Sequence, residues 1–199
     1  MNTLLDSLPV AIGLWLVVYI ADYYLTLYGR QLWIQNAKQF ITFQGSYELN
    51  PYYQSDIDAN KRLSRRFFFM LGYGVLWMVV MWGATQYLNI QQVFPAAIGY
   101  LLLREIVILS SHVQNIRLFQ SAGITDALQG QISYARWVSL DGTAWKYFYW
   151  GLIFLIFAIL MANWFFIGGA FACLYDFFRL RRFGQRMRAQ PKPVPAASQ

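Results

Sequence analysis

Asp22, Arg104 and Glu105 stand inside stretches that are otherwise apolar enough to be buried in lipid. At bilayer depth a charge costs about 2.5–3.5 kcal/mol on insertion scales, so such residues face a protein interior and mark a helix lock or a site. Around Asp22, the residues Tyr19, Tyr23, Thr26 and Arg30 recur at spacings of three and four, which draws one polar stripe along a helix. Glu105 and His112 are seven apart, with Asn115 three further on, and Arg104 and Ser111 are also seven apart; together they form a second, wider stripe. If the stripes face each other, Asp22 pairs with Arg104, and Glu105 shares a proton or a bound cation with His112. The segment Tyr47-Glu48-Leu49-Asn50-Pro51-Tyr52-Tyr53 adds a carboxylate, an amide and three tyrosines around a proline. It reads either as a polar lip with Glu48 and Asn50 aimed inward, or as a rigid turn with its tyrosines at headgroup level. The candidate polar site is therefore Asp22, Glu48, Asn50, Arg104, Glu105, His112 and Asn115. The bland alternative is that these groups only satisfy one another, since a buried ion pair can fix which helix packs on which.

Known chemistries do not fit these residues. A lone histidine, His112, excludes bis-histidine haem ligation within the chain and the two-histidine pattern of CAAX-type membrane proteases. Ser110 and Ser111 neighbour His112 in sequence and point elsewhere on a helix, so no nucleophile–base pair forms. Asp141-Gly142-Thr143-Ala144 resembles the opening of the CDP-alcohol phosphotransferase signature, but Trp145 and Lys146 follow and the later aspartates are missing. No phosphate-cradling GxxxxGK[ST] loop is present. The single cysteine, Cys173, lies in an apolar run and suits packing. No catalytic residue, metal site or cofactor is expected, and a Glu105–His112 metal site would need ligands from another helix.

The elements that position these residues are membrane spans. Hydrophobic residues make up 58% of the 199 and charged residues 13%, both far from soluble-domain composition. A span needs about 20 mostly apolar residues. Four stretches qualify: 8–28, 67–88, 93–113 and 148–174. The expected fold is all-α, a single membrane domain over 1–188 with about four transmembrane helices, followed by a disordered Pro/Ala-rich tail over 189–199. The first run is interrupted by Asp22 and lacks a cleavage site, so it reads as a retained span.

In the first loop, Trp33, Ala37, Phe40 and Ile41 recur at helical spacing and predict an interfacial amphipathic helix ended by Gly45. Ser55, three residues before Asp58, predicts the start of a helix carrying Lys61, Arg62, Arg65 and Arg66 into the second span. The short connection 89–92 makes spans two and three a hairpin. The polar connection 114–147 predicts one short surface helix. Gly168 with Ala172, and Gly169 with Cys173, have small-xxx-small spacing, read first as packing within the monomer and second as a dimer contact.

The first span (ADYYLTLYG around Asp22), the Glu48-Leu49-Asn50-Pro51 motif and the hydrophobic hairpin after it resemble a group of small bacterial polytopic membrane proteins that carry an aspartate in the first span and an E-L-N-P motif. The similarity covers roughly the first half of the chain. It implies a helical membrane fold and a polar patch around Asp22, Glu48 and Asn50, and no activity.

The net charge of +7 reflects basic residues flanking spans, not nucleic-acid binding. Arg62, Arg65, Arg66, Arg179, Arg181 and Arg182 are membrane-surface basic residues suited to anionic lipid. The positive-inside rule puts the first loop in the cytoplasm, in a bacterial plasma membrane. Four spans then put the basic C-terminal segment outside, against the rule. A re-entrant 93–113 segment would remove the conflict, yet exposed irregular backbone is not tolerated in lipid, so four spans are preferred. The first functional reading is a scaffold or accessory membrane protein. The alternative is a small transporter, channel or lipid-headgroup binder, and an intramembrane enzyme is third. Partners are the bilayer, with anionic lipid and a protein partner or second copy as further expectations.

Overall fold

The computed structural model describes residues 7–44, 46–124 and 127–189, so the expectations for Gly45 and for the tail beyond Ala189 lie outside the described residues. The chain is an all-α integral membrane bundle. Its elements are α1 (Leu8–Leu32), β1 (Ile41–Phe43), α2 (Gln54–Asp58), α3 (Arg65–Leu88), α4 (Val93–Ala122), β2 (Ile132–Tyr134), α5 (Arg136–Met161) and α6 (Trp164–Ala189). Four helices are long and apolar enough to cross a membrane: α1 with its extension to Ala37, α3, α4 and α5. Large apolar side chains such as Phe69, Leu76, Ile159 and Leu160 stand exposed on their outer faces, as lipid contact requires.

The fourth span departs from expectation. The apolar run 148–174 is not one helix. It breaks at Ala162, whose φ of 47° is left-handed, and α6 restarts in the opposite direction. Asn163 caps the new helix, its side-chain oxygen accepting from the Phe165 N–H at 2.9 Å. Because α5 and α6 lie antiparallel, with Gly151 against Leu174 and Gly184 beside Leu140, the basic end of α6 returns to the end of the bundle that holds the first loop. Arg30 to Arg66, Arg136 and the arginines of α6 thus share one end. The charge conflict came from treating a helical hairpin as a single crossing. The re-entrant alternative also falls, because α4 is a continuous helix of 30 residues. At 1.5 Å per residue it is about 45 Å long, more than a bilayer core.

That length explains a second correction. The segment 114–122 belongs to α4 and 136–147 to α5, leaving a connection of 123–135. Polar residues such as Gln114 and Arg117 end the hydrophobic stretch without ending the helix. Within the connection, β2 pairs in parallel with β1, Ile41 opposite Ile132 and Phe43 opposite Tyr134.

The first loop is also drawn differently. Trp33–Ala37 continues α1 as a π-helical turn, while Ile41 enters β1. The basic helix expected from Ser55 is broken by Asn60, at φ 51°, so Lys61 and Arg62 lie in a loop. Ser64 caps α3 instead, accepting from the N–H of Arg66 (3.1 Å) and Phe67 (3.4 Å). The α3–α4 hairpin is as expected, with Asn89 in the left-handed region closing α3.

Two apolar cores flank α4. Trp15, Tyr19, Tyr23, Phe67, Met78 and Ile98 join α1, α3 and α4; Val107, Tyr147, Phe154, Cys173 and Phe177 join α4, α5 and α6.

Candidate functional site

Helix α4 carries polar residues toward α1 on one side and α6 on the other, and the two contacts are built differently. On the α6 side, Arg104 Nε donates to Asp176 Oδ2 at 2.6 Å, and its NH1 donates to Glu105 Oε1 at 2.7 Å. Arg179 NH2 stands 2.9 Å from Asp176 Oδ1. Asp176 is 2% exposed and every oxygen has a cationic partner. Arg104 therefore does not pair with Asp22, correcting that expectation. Asp176 escaped sequence reading because the fourth span was drawn to end two residues before it. Its spacing of three from Arg179 was the signal.

The same interface explains the small residues. A Cβ on Gly168 would overlap the Ala96 carbonyl, one on Gly99 the Phe165 carbonyl, and one on Gly169 the Leu103 side chain. Ala172 is fully buried. The small-residue stripe thus brings α6 backbone onto α4 backbone within one chain, the first of the two readings given for it.

On the α1 side the two polar stripes do converge. His112 Nε2 lies 2.9 Å from Asp22 Oδ1 and 3.0 Å from Thr26 Oγ1. Asp22 thus meets His112, and Glu105 meets Arg104, instead of the pairs expected. The sequence fixes the faces of two helices but not their offset along the axis. The Thr26 hydroxyl donates to the Asp22 carbonyl at 2.9 Å. Other buried atoms along this face find no hydrogen-bond partner among the described residues: Glu105 Oε2, His112 Nδ1 and Tyr47 Oη. Asn115, half-buried, lies within reach of the Tyr47 hydroxyl without forming a hydrogen bond to it.

The first loop lies over this contact. The Tyr19 and Tyr53 hydroxyls share a hydrogen bond of 2.5 Å, and the Tyr23 hydroxyl donates to the Lys61 carbonyl at 2.7 Å. Glu48-Leu49-Asn50-Pro51 is a nested turn. Glu48 Oε1 accepts from the Asn50 N–H at 2.7 Å, and Asn50 Oδ1 accepts from the Tyr52 N–H at 3.1 Å. Asn50 is exposed and spent in the turn, so it does not aim inward. Glu48 is half-buried, and burial pushes its carboxyl up to about 7, with His112, Asp22 and Asp58 in electrostatic reach. Arg136 reaches over from α5 to donate to the Leu49 carbonyl at 3.2 Å.

A second aspartate in the loop went unread in the sequence. Asp56, 5% exposed, accepts from Lys61 Nζ at 2.8 Å and Ser64 Oγ at 2.5 Å, which hold its carboxyl below the usual range. It ties α2 to the start of α3. Arg66 donates to the Tyr52 carbonyl and Ser55 Oγ, while Arg62 and Arg65 are exposed. On α6, Arg182 is exposed and Arg181 lies over the Trp145 and Phe177 rings.

No cluster of three or more His, Cys, Asp or Glu residues suited to a metal ion occurs among the described residues. Comparison with protein-family models, curated proteins and solved structures finds no match to this chain.

Proposed function

We propose that this protein binds a small polar ligand inside the membrane, at the contact between α1 and α4, as a headgroup binder or carrier without covalent chemistry. The observation that carries the reading is that Glu105 Oε2 and His112 Nδ1, buried on α4, have no partner among the described residues, beside the Asp22–His112 contact. Buried polar groups left unpaired cost about 1–3 kcal/mol each, so a helix kept only for support gains nothing by retaining both. The scaffold reading keeps one specific support, the satisfied Arg104–Asp176–Arg179 network, and we assign it to that half of the bundle.

The site lies toward the end of the bundle that carries the first loop and the basic segments. The positive-inside rule makes that end cytoplasmic. Exposed Arg62, Arg65 and Arg182 there would rest against anionic lipid of the same leaflet at about 1 kcal/mol per charge.

Thiol labelling tests the reading. In a Cys173→Ala background, Asn115→Cys and Thr26→Cys line the site, and Ile106→Cys faces outward from α4. A charged, water-soluble thiol reagent applied from the loop side reacts with the first two and spares the third if the site opens to water at that end. Equal protection of all three would leave a closed polar lock and return the scaffold reading to first place.

A further inference from the structure

We infer that the outer face of α6 binds an anionic phospholipid, with the phosphate held by Arg179, Arg182 and Arg186. This site is separate from the α1–α4 contact and does not rest on the reading given for it. The face is a single stripe. Phe171, Tyr175 and Phe178 are exposed at spacings of four and three, and the exposed Arg179, Arg182 and Arg186 continue it at spacings of three and four. Side chains spaced in this way stand above one another on a helix. The stripe therefore changes from aromatic to cationic along its length, as a phospholipid changes from acyl chain to phosphate. The level of that change fits a headgroup. α6 runs antiparallel to α5, and the Arg181 guanidinium lies 5.5 Å from the centre of the Trp145 ring. Trp145 and Tyr149, exposed and about one turn apart on α5, are residue types that collect at the membrane surface. Arginines at this height reach the phosphates of the loop-side leaflet. The aromatics come earlier on α6 and lie deeper, among acyl chains.

The charges are complementary to a phosphate. Asp176, the only carboxylate of α6, is buried and taken by Arg104 at 2.6 Å and Arg179 at 2.9 Å. Asp141 of α5 stands 3.9 Å from Arg181, which leaves Arg182 and Arg186 without an ion pair among the described residues. The contact with Asp176 holds Arg179 on the stripe while 55% of its side chain stays exposed. A phosphate thus meets a guanidinium already in position, which lowers the ordering cost of binding. The guanidinium fork also matches phosphate oxygens in pairs. Arg62 and Arg65 on the α3 side are exposed as well, but Arg62 lies in a loop, and the neighbouring Arg66 is spent on the Tyr52 carbonyl and Ser55. They attract an anionic surface without forming a clamp.

The test uses the full-length protein in nanodiscs of phosphatidylcholine with a minor share of phosphatidylglycerol. Native mass spectrometry identifies the lipid that stays on the protein after transfer to detergent, and titration of phosphatidylglycerol gives its affinity. The wild type is expected to keep phosphatidylglycerol in preference to phosphatidylcholine. Arg182→Gln, at an exposed position, should weaken that binding about tenfold, the effect of losing one charge-assisted hydrogen bond. Arg182→Gln combined with Arg186→Gln should abolish the preference. Arg62→Gln combined with Arg65→Gln removes the same charge from the α3 side and should leave the preference as it was. Melting temperatures in pure phosphatidylcholine confirm that each variant is folded before its lipids are compared. Equal losses from the two double variants would reduce the effect to diffuse surface charge and overturn the site. A wild type that keeps both lipids alike would overturn it as well.

Discussion

The two sides of α4 use the same residue types to opposite ends. Toward α6, one arginine and one aspartate are saturated, and glycines bring the two backbones into direct contact. Toward α1, an aspartate, a histidine and a threonine meet, yet Glu105 Oε2 and His112 Nδ1 remain without partners among the described residues and a loop of tyrosines lies over the contact. The difference teaches that a charge in a span is not by itself a sign of function. What separates a lock from a site is whether its hydrogen-bonding capacity is used up.

Substitutions should break the lock side hardest. Asp176→Asn leaves Arg104 with one carboxylate and is expected to destabilise the fold by about 3 kcal/mol, the low end for a broken buried pair because Glu105 remains. Equilibrium unfolding in detergent or bilayer measures it. Gly168→Ala forces α6 away from the Ala96 carbonyl and should cost about 1–3 kcal/mol, visible as a lower melting temperature. An unchanged melting temperature would mean that the helices pack further apart than described.

The site side responds to pH. Burial raises the Glu48 carboxyl from 4.5 to about 7 in the folded protein, so the folded state holds that proton more tightly than the unfolded chain. Its stabilising contribution is complete below the unfolded value and is lost as pH climbs through about 7. The melting temperature of the wild type should fall between pH 5 and pH 8, and Glu48→Gln should flatten part of that fall. The smallest effect is expected from Asp22→Asn, whose amide oxygen can still accept from His112 Nε2, now 2.9 Å from Asp22 Oδ1. We expect a stability change below about 1 kcal/mol. A loss comparable to that of Asp176→Asn would make the two sides alike and dissolve the comparison.

Much of this was legible in the sequence. The first three spans followed from hydropathy, and the facing of α1 and α4 followed from residues repeating every three, four and seven positions. What was not legible is instructive. Ala162 adopts a left-handed turn without the glycine or proline that announces one, and hydropathy continues through it; only Asn163, a helix-capping residue ahead of an apolar run, hinted at a restart. With that break unseen, Asp176 fell outside the span and Arg104 was given the wrong partner. The level at which Asp22 meets His112 depends on the axial offset of α1 and α4, whose close packing includes Gly29 beside Ile116. Asn50 looked like a site residue because its carbonyl and amide could serve a ligand, but its own turn consumes the side-chain oxygen.

The most direct measurement is an experimental density map of the protein in a lipid nanodisc, at a resolution that shows bound water. The account predicts non-protein density within hydrogen-bonding distance of Glu105 Oε2 or His112 Nδ1, and none between Arg104 and Asp176. A map in which these side chains turn to satisfy one another, with nothing bound between α1 and α4, would contradict it.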